Sequence, residues 1–347
     1  MKRIGLMLFV LITFQLGFAQ LGGGRTYSFL SMPSAARSSA LGGDFIAVRD
    51  GDVNLVLDNP ALLGEATTKS MAFSYVDHLS SVKSGYLVYA NQFDDHTFYS
   101  FGVQFMGYGS FEETDEFGNV LGEFNSGEYA FDFTYTKELS RLFTAGLSSK
   151  LIFSNIASYS SIGLAFDVGF HYMSEAELFQ AGFTVNNIGT QITTYTNNTR
   201  EKLPFEIQLA AAYKLPKAPI RFYLLASNLQ QWDLSYPTNL NNAPSVSPDG
   251  SLQTTESPAG FGDNLFRHTV VGAELLMSEK FKLRLSYNHQ RAKEMQLIAG
   301  SGLSGFSFGL GMKIKKFYFD YAVSTYFTGK ASNTFTLSTN LSTWKKN

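Results

Sequence analysis

The side chains able to do chemistry are few and thinly spread. The five histidines are His78, His96, His171, His268 and His289, and none has a partner at zinc-ligand spacing. There is no cysteine, which excludes zinc fingers, iron–sulfur clusters and a disulfide scaffold. Asp167 and His171 share one face of an alternating stretch. Four residues at ~3.3 Å each put them roughly 13 Å apart, too far for a direct acid–base pair. Gly300-Ser301-Gly302-Leu303-Ser304-Gly305 has the letters of a dinucleotide fingerprint but lacks the strand–turn–helix context and the later acidic residue, so it reads as a flexible loop. Glu112, Glu113, Asp115 and Glu116 crowd one loop, where carboxylate oxygens could draw a hard cation; a solvated acidic loop is the plainer reading. Asp132, Asp167, Glu206, Lys282, Arg284 and Asp320 fall on the inward phase of alternating segments. They form either a polar ligand path or a charge network that packs something inside. No catalytic residue, cofactor or metal site is expected.

The elements that position these residues are strands. Aromatic residues make up 15% of the chain and charged residues only 16%, which argues against disorder. A mean hydropathy of -0.04 argues against a bundle of membrane helices, and the net charge of -2 gives no reason to expect nucleic acid as a partner. In Phe131-Asp132-Phe133-Thr134-Tyr135-Thr136 every odd residue is aromatic and every even one polar. The same period of two runs through 162–172, 282–288, 306–314 and 317–323, so each strand has one apolar and one small or polar face. Fourteen strands are expected, at 69–77, 82–91, 97–107, 127–136, 141–153, 161–172, 177–188, 202–214, 219–228, 267–277, 281–289, 305–314, 317–324 and 333–341. Most are longer than the ~5–6 residues usual in soluble sheets and near the ~9–11 needed to span a membrane. Their connections alternate between short (92–96, 137–140, 173–176, 215–218, 278–280, 315–316) and long (108–126, 189–201, 229–266, 290–304). Outer-membrane barrels sort periplasmic turns from outside loops in this way.

The expected fold is therefore all-β, a 14-stranded antiparallel transmembrane barrel of the bacterial outer membrane. Residues 1–19 read as a signal peptide: Lys2 and Arg3 precede an apolar run, and Gly17-Phe18-Ala19 ends in small residues before a cut at Gln20. Residues 20–68 do not read as strands. Ser34 to Ala40 and Val53 to Leu63 suggest short helices broken by Gly42-Gly43 and by Asn59-Pro60. Wall side chains alone fill a barrel of about eight strands, so fourteen leave room for this segment inside as a hatch. The barrel itself takes 69–342, with 229–266 its longest outer loop.

The segment 26–63 carries a resemblance. It reads Thr26-Tyr27-Ser28-Phe29-Leu30, Pro33-Ser34-Ala35-Ala36-Arg37, Ala40-Leu41-Gly42-Gly43, Asp50, Asp52 and Asn59-Pro60-Ala61-Leu62-Leu63. It resembles the PorQ family of barrels in the type IX secretion system and, more broadly, the FadL-like family of long-chain fatty-acid outer-membrane transporters. In the broader family an Asn-Pro-Ala segment follows an Ala/Gly-rich hatch helix, and Asn59-Pro60-Ala61 holds that place; Leu62 stands where the transporters often carry Gly. The hatch motif is then Arg37, Gly42, Gly43, Asn59, Pro60 and Ala61, with Arg37 a partner for one of the inward acids. The resemblance implies a non-enzymatic anchor for a large PorZ-like surface protein, beside the PorU/PorV complex that attaches cargo to lipopolysaccharide. Trp232, Tyr236 and Phe261 on the longest loop would meet that partner. The second expectation is a transporter of long hydrophobic molecules, with Ala35, Ala36, Ala40 and Gly42 leaving room for an acyl chain. A barrel enzyme using His171 or His289 is a third.

Overall fold

The computed structural model describes residues 25–78, 80–196, 199–234, 245–246, 252–253, 260–294, 303–327 and 330–344. The expected signal peptide, Tyr236 and Gly300-Ser301-Gly302 lie outside them. The strands are β1 (Ser70–Asp77), β2 (Lys83–Asp94), β3 (Thr97–Thr114), β4 (Val120–Glu138), β5 (Phe143–Ile156), β6 (Tyr159–Met173), β7 (Phe179–Thr193), β8 (Glu206–Lys214), β9 (Ile220–Ala226), β10 (Ser245–Val246), β11 (Leu252–Gln253), β12 (Thr269–Ser278), β13 (Phe281–Asn288), β14 (Phe306–Ile314), β15 (Phe317–Phe327) and β16 (Lys330–Asn340). β10 and β11 pair only with each other. The other fourteen close into one antiparallel barrel, sealed where β1 meets β16 from Ser70↔Asn340 to Asp77↔Asn333.

The wall is inverted relative to a soluble protein. Along β5, Thr144, Ser148, Lys150 and Ser154 are buried, while Phe143, Leu147, Leu151 and Phe153 are exposed. Lipid, not water, is the solvent that makes this arrangement favourable, and closure removes the sheet edge that no bilayer tolerates. The chain is an outer-membrane β-barrel.

Two connections differ from the sequence reading. The 108–126 loop is mostly strand: β3 and β4 continue to a turn at 115–119, with Phe111 stacked on Phe124 at 5.5 Å. Above the lipid both faces meet water, so the alternation that marks a membrane strand stops although the ladder does not. The 229–266 and 290–304 loops contain helices α2 (Phe261–Arg267) and α3 (His289–Glu294). β8 begins only at Glu206, just past Pro204, which has no N–H for a ladder.

Residues 25–68 run along the inner face of the wall. They hold helix α1 (Ala36–Ala40) and the short 3-10 turns Ser28–Ser31, Val53–Val56, Pro60–Leu62 and Glu65–Thr67. Phe29, Leu41, Phe45, Ile46, Leu55 and Leu63 from this segment are among the most completely buried large side chains. Phe45 meets Tyr223 of β9 edge-on at 4.5 Å.

Candidate functional site

The strongest concentration of charge lies where α1 meets the wall. Register places Arg221 of β9 and Arg284 of β13 on either side of Glu274 of β12 as direct cross-strand partners. Arg221 Nη1 donates to Glu274 Oε2 at 2.8 Å and Arg284 Nε to Oε1 at 3.0 Å. Arg37 of α1 supplies the third guanidinium, donating through Nε to Oε1 at 2.9 Å and through Nη2 to Oε2 at 3.0 Å. Its other edge grips Asp50 at 2.7 and 2.8 Å, and the group lies 4.7 Å from the centre of the Phe45 ring. Arg221 also reaches Asp50, at 3.0 Å, and Arg284 bridges onward to Asp320. Burial alone would raise the Asp50 carboxyl, but Arg37, then Arg221 and Lys282, hold it well below the usual carboxylate range. Forked charge-assisted bonds of this kind fix geometry as well as charge.

The remainder of the segment sits on a shelf of wall glycines. A Cβ on Gly146 would stand 2.1 Å from the Pro60 carbonyl oxygen, and one on Gly169 2.0 Å from Asn59 Oδ1. Asn59 Oδ1 accepts from Ala61 N at 2.9 Å, while Nδ2 donates to the Ile46 carbonyl at 2.8 Å and to that of Phe170 at 3.3 Å. The Pro60 carbonyl accepts from Thr136. Gly42, at φ 85, ends α1 in a left-handed conformation. Its carbonyl accepts from Asn288 and Arg291, each at 2.9 Å. Gly43 follows it, extended toward Leu225.

All six inward charges read from the sequence are turned toward the interior. Asp132, Asp167 and Arg284 are buried, and Glu206, Lys282 and Asp320 are half-buried. The expected pairing of Arg37 with one of the acids in that set is corrected: its hydrogen-bond partners are Glu274 and Asp50, with Asp52 at 3.5 Å. Asp167 pairs instead with Lys150 at 2.6 Å, with Asp132 opposite Lys150 in the ladder. Glu274, Arg221 and Lys150 went unread, and Asp50 was read only as part of the resemblance. The signal was present for Glu274, which shares a phase with Val270 and Gly272, but Val270 made that phase look apolar.

The small residues of α1 leave no space. Ala36 and Ala40 are fully buried, and a Cβ on Gly309 of β14 would lie 2.4 Å from that of Ala40. His171 is buried against Gln180 at 3.1 Å, while Asp167 is engaged by Lys150. His289 lies 3.3 Å from both Asp263 and Tyr287 at the outer end. Among the described residues no three His, Asp or Glu side chains are placed to hold a metal. At the outer mouth Trp232 packs on Phe261 at 5.2 Å and stacks on His268 at 5.5 Å. Phe261, Leu265 and Phe266 of α2 are exposed.

No protein-family model and no curated protein matches the chain. Solved structures do. The toluene transporter TodX of P. putida aligns over 90% of this chain and 99% of its own, with 12% identity and a TM-score of 0.53. A deltaS2S3 mutant of TodX, described as a monoaromatic hydrocarbon channel, aligns over 88% and 98% with the same identity and score. A FadL homologue of Pseudomonas aeruginosa aligns over 89% and 98%, with 10% identity and a TM-score of 0.46. The chain has the fold of the TodX barrel.

Proposed function

We propose that the protein is a gated outer-membrane channel for hydrophobic small molecules, with residues 25–68 as its hatch. The observation that carries this reading is how the interior is occupied. The inner segment joins no strand of the barrel; side-chain bonds around Arg37, Arg49 and Asn59 and one backbone bridge from Arg25 to Lys202 attach it to the wall. The shared fold with a toluene transporter supports it at the level of architecture. The exposed apolar cluster of Trp232, Phe261, Leu265 and Phe266 gives a hydrophobic solute a landing place at the outer mouth. No catalysis belongs to this reading. The test is uptake of labelled toluene and oleate by cells whose outer membrane carries the barrel. Uptake several-fold above cells lacking it supports the proposal. Background uptake with the folded barrel present removes it.

A second reading, an anchoring subunit of type IX secretion, is favoured by the outer surface. β3 has 18 residues, which at ~3.3 Å each and a tilt of about 40° climb roughly 45 Å, past an apolar band of ~25 Å. The hairpin it forms with β4 and the 229–266 connection offer purchase to a PorZ-like partner beside lipopolysaccharide and a PorU/PorV complex. Deleting 239–257 is expected to leave a folded barrel that no longer captures such a partner; unchanged capture excludes a role for that loop.

A further inference from the structure

Gly51 borders three cavities at the end of the barrel that carries the short turns, and one of them is basic. It holds about 290 Å³ between the inner segment and the wall. Register builds the wall side. Lys313 of β14, Tyr318 of β15 and Ser338 of β16 are successive ladder partners. They share the inward phase of their strands with the buried Gly311, Ala322 and Thr336. Lys315 and Lys316 close the cavity from the turn, and Asp50, Gly51, Val53 and Ala66 line the opposite side.

The lysines have no acid to neutralise them. Asp50 is the one carboxylate lining this cavity among the described residues, and Arg37 and Arg221 already hold it at 2.7 and 3.0 Å. Among the described residues Lys313, Lys315 and Lys316 form no ion pair. Aromatic rings place two of them instead: Lys313 Nζ lies 5.0 Å from the centre of the Tyr318 ring, and Lys316 Nζ 5.1 Å from that of Trp344.

The charge continues outside the cavity. Asp94 and Asp95 mark the β2–β3 turn and Glu175 and Glu177 the β6–β7 turn, with both signs at β4–β5 between them. Lys214 and Lys217 mark the β8–β9 turn, and Lys280 beside Glu279 the β12–β13 turn, before Lys315 and Lys316. One half of this face is therefore acidic and the other basic, and the turn side chains are exposed. The short turns face the periplasm. A small anion needs only the cavity. A row of exposed cations leading away from it suits carboxylates in series, which a polypeptide supplies.

We infer that this face docks an acidic segment of a periplasmic polypeptide. One carboxylate is seated among Lys313, Lys315 and Lys316, and its neighbours run toward Lys280 and Lys217. The seated group rests against Gly51 and Ala66, so the partner meets the inner segment directly. Neither the channel reading nor the anchoring one is needed for this.

Fluorescence anisotropy of a labelled hexaglutamate peptide with the full chain in mild detergent tests it. The wild type is expected to bind the peptide and to release it as salt rises, while hexaglutamine stays free. Lys313→Gln with Lys315→Gln and Lys316→Gln should weaken binding about tenfold or more. Lys83→Gln, at the outer end of β2, leaves it unchanged. Ala66→Leu keeps every lysine but fills the cavity, and should weaken binding several-fold. A shift in gel mobility on heating confirms that each variant is folded. No binding by the wild type, equal binding of hexaglutamine, or full affinity in the triple-lysine variant overturns the proposal. Full affinity in Ala66→Leu overturns the seat. Unlabelled succinate should displace the peptide only in large excess; displacement at the peptide's own concentration overturns the polypeptide assignment in favour of a small free anion.

Discussion

Arg37 and Glu274 stand 237 positions apart in the chain and are joined at 2.9 Å inside the barrel. The barrel ladder already sets Glu274 between two arginines. Arg37 arrives from a five-residue helix, too short to be stable alone, and makes the wall's excess of positive charge depend on Asp50. One carboxylate in the wall thus holds together three strands and the segment they enclose.

Replacing Glu274 with Ala leaves three guanidiniums without their common acceptor. Breaking one partner of a buried ion network costs ~3–5 kcal/mol, so the urea midpoint of the detergent-solubilised barrel should fall markedly. Arg37→Ala should instead expose residues 25–68 to protease while the barrel resists. If both variants unfold and digest like the wild type, the network does not hold the segment.

The glycine shelf makes a geometric prediction. Gly146→Ala and Gly169→Ala each put a methyl group within 2.1 Å of Asn59 or Pro60, and each should loosen the segment and lower stability by on the order of 1–3 kcal/mol. Gly107→Ala meets nothing nearer than 4.0 Å and should be silent. Equal midpoints for all three in urea would show that the shelf yields freely.

Mild acid should not open the attachment. Asp50 has a folded-state pKa well below its ordinary value, so its contribution is complete above the unfolded value of ~3.9 and is lost only as pH falls through the lower folded one. Protease resistance of residues 25–68 should be level from pH 8 to pH 5. Release within that window would point to a different titrating group.

The projecting hairpin should be dispensable for folding. In the ladder Ser110 to Phe124 pair only with one another and with Asn125. Removing 110–124 should change the unfolding free energy measured in urea by no more than about 0.5 kcal/mol, as expected of surface changes. A larger loss would mean the tip braces the wall.

The wall was legible because the membrane imposes a strict alternation: Phe131, Phe133 and Tyr135 can only face lipid while Asp132 and Thr134 face in. Where that pressure ends, at Ser110 to Phe124, strand and loop read alike. The inner segment was legible as a helical interruption but its contacts were not. Arg37 finds Glu274 only once fourteen strands have taken their register, and nothing within a short window of sequence encodes that. His171 and Asp167 read as possible chemistry for the opposite reason, since a polar residue turned inward looks the same whether it serves a ligand or, like Asp167, a lysine on the next strand.

The seam between β1 and β16 is the most non-local pairing in the barrel. The strand that follows the inner segment is the first to be made, and its partner is the last. Ser70 to Asp77 meet Asn333 to Asn340 across the whole length of the barrel sequence. These closing contacts join residues 270 positions apart at Ser70 and Asn340, so they carry the largest loop-closure cost in the barrel.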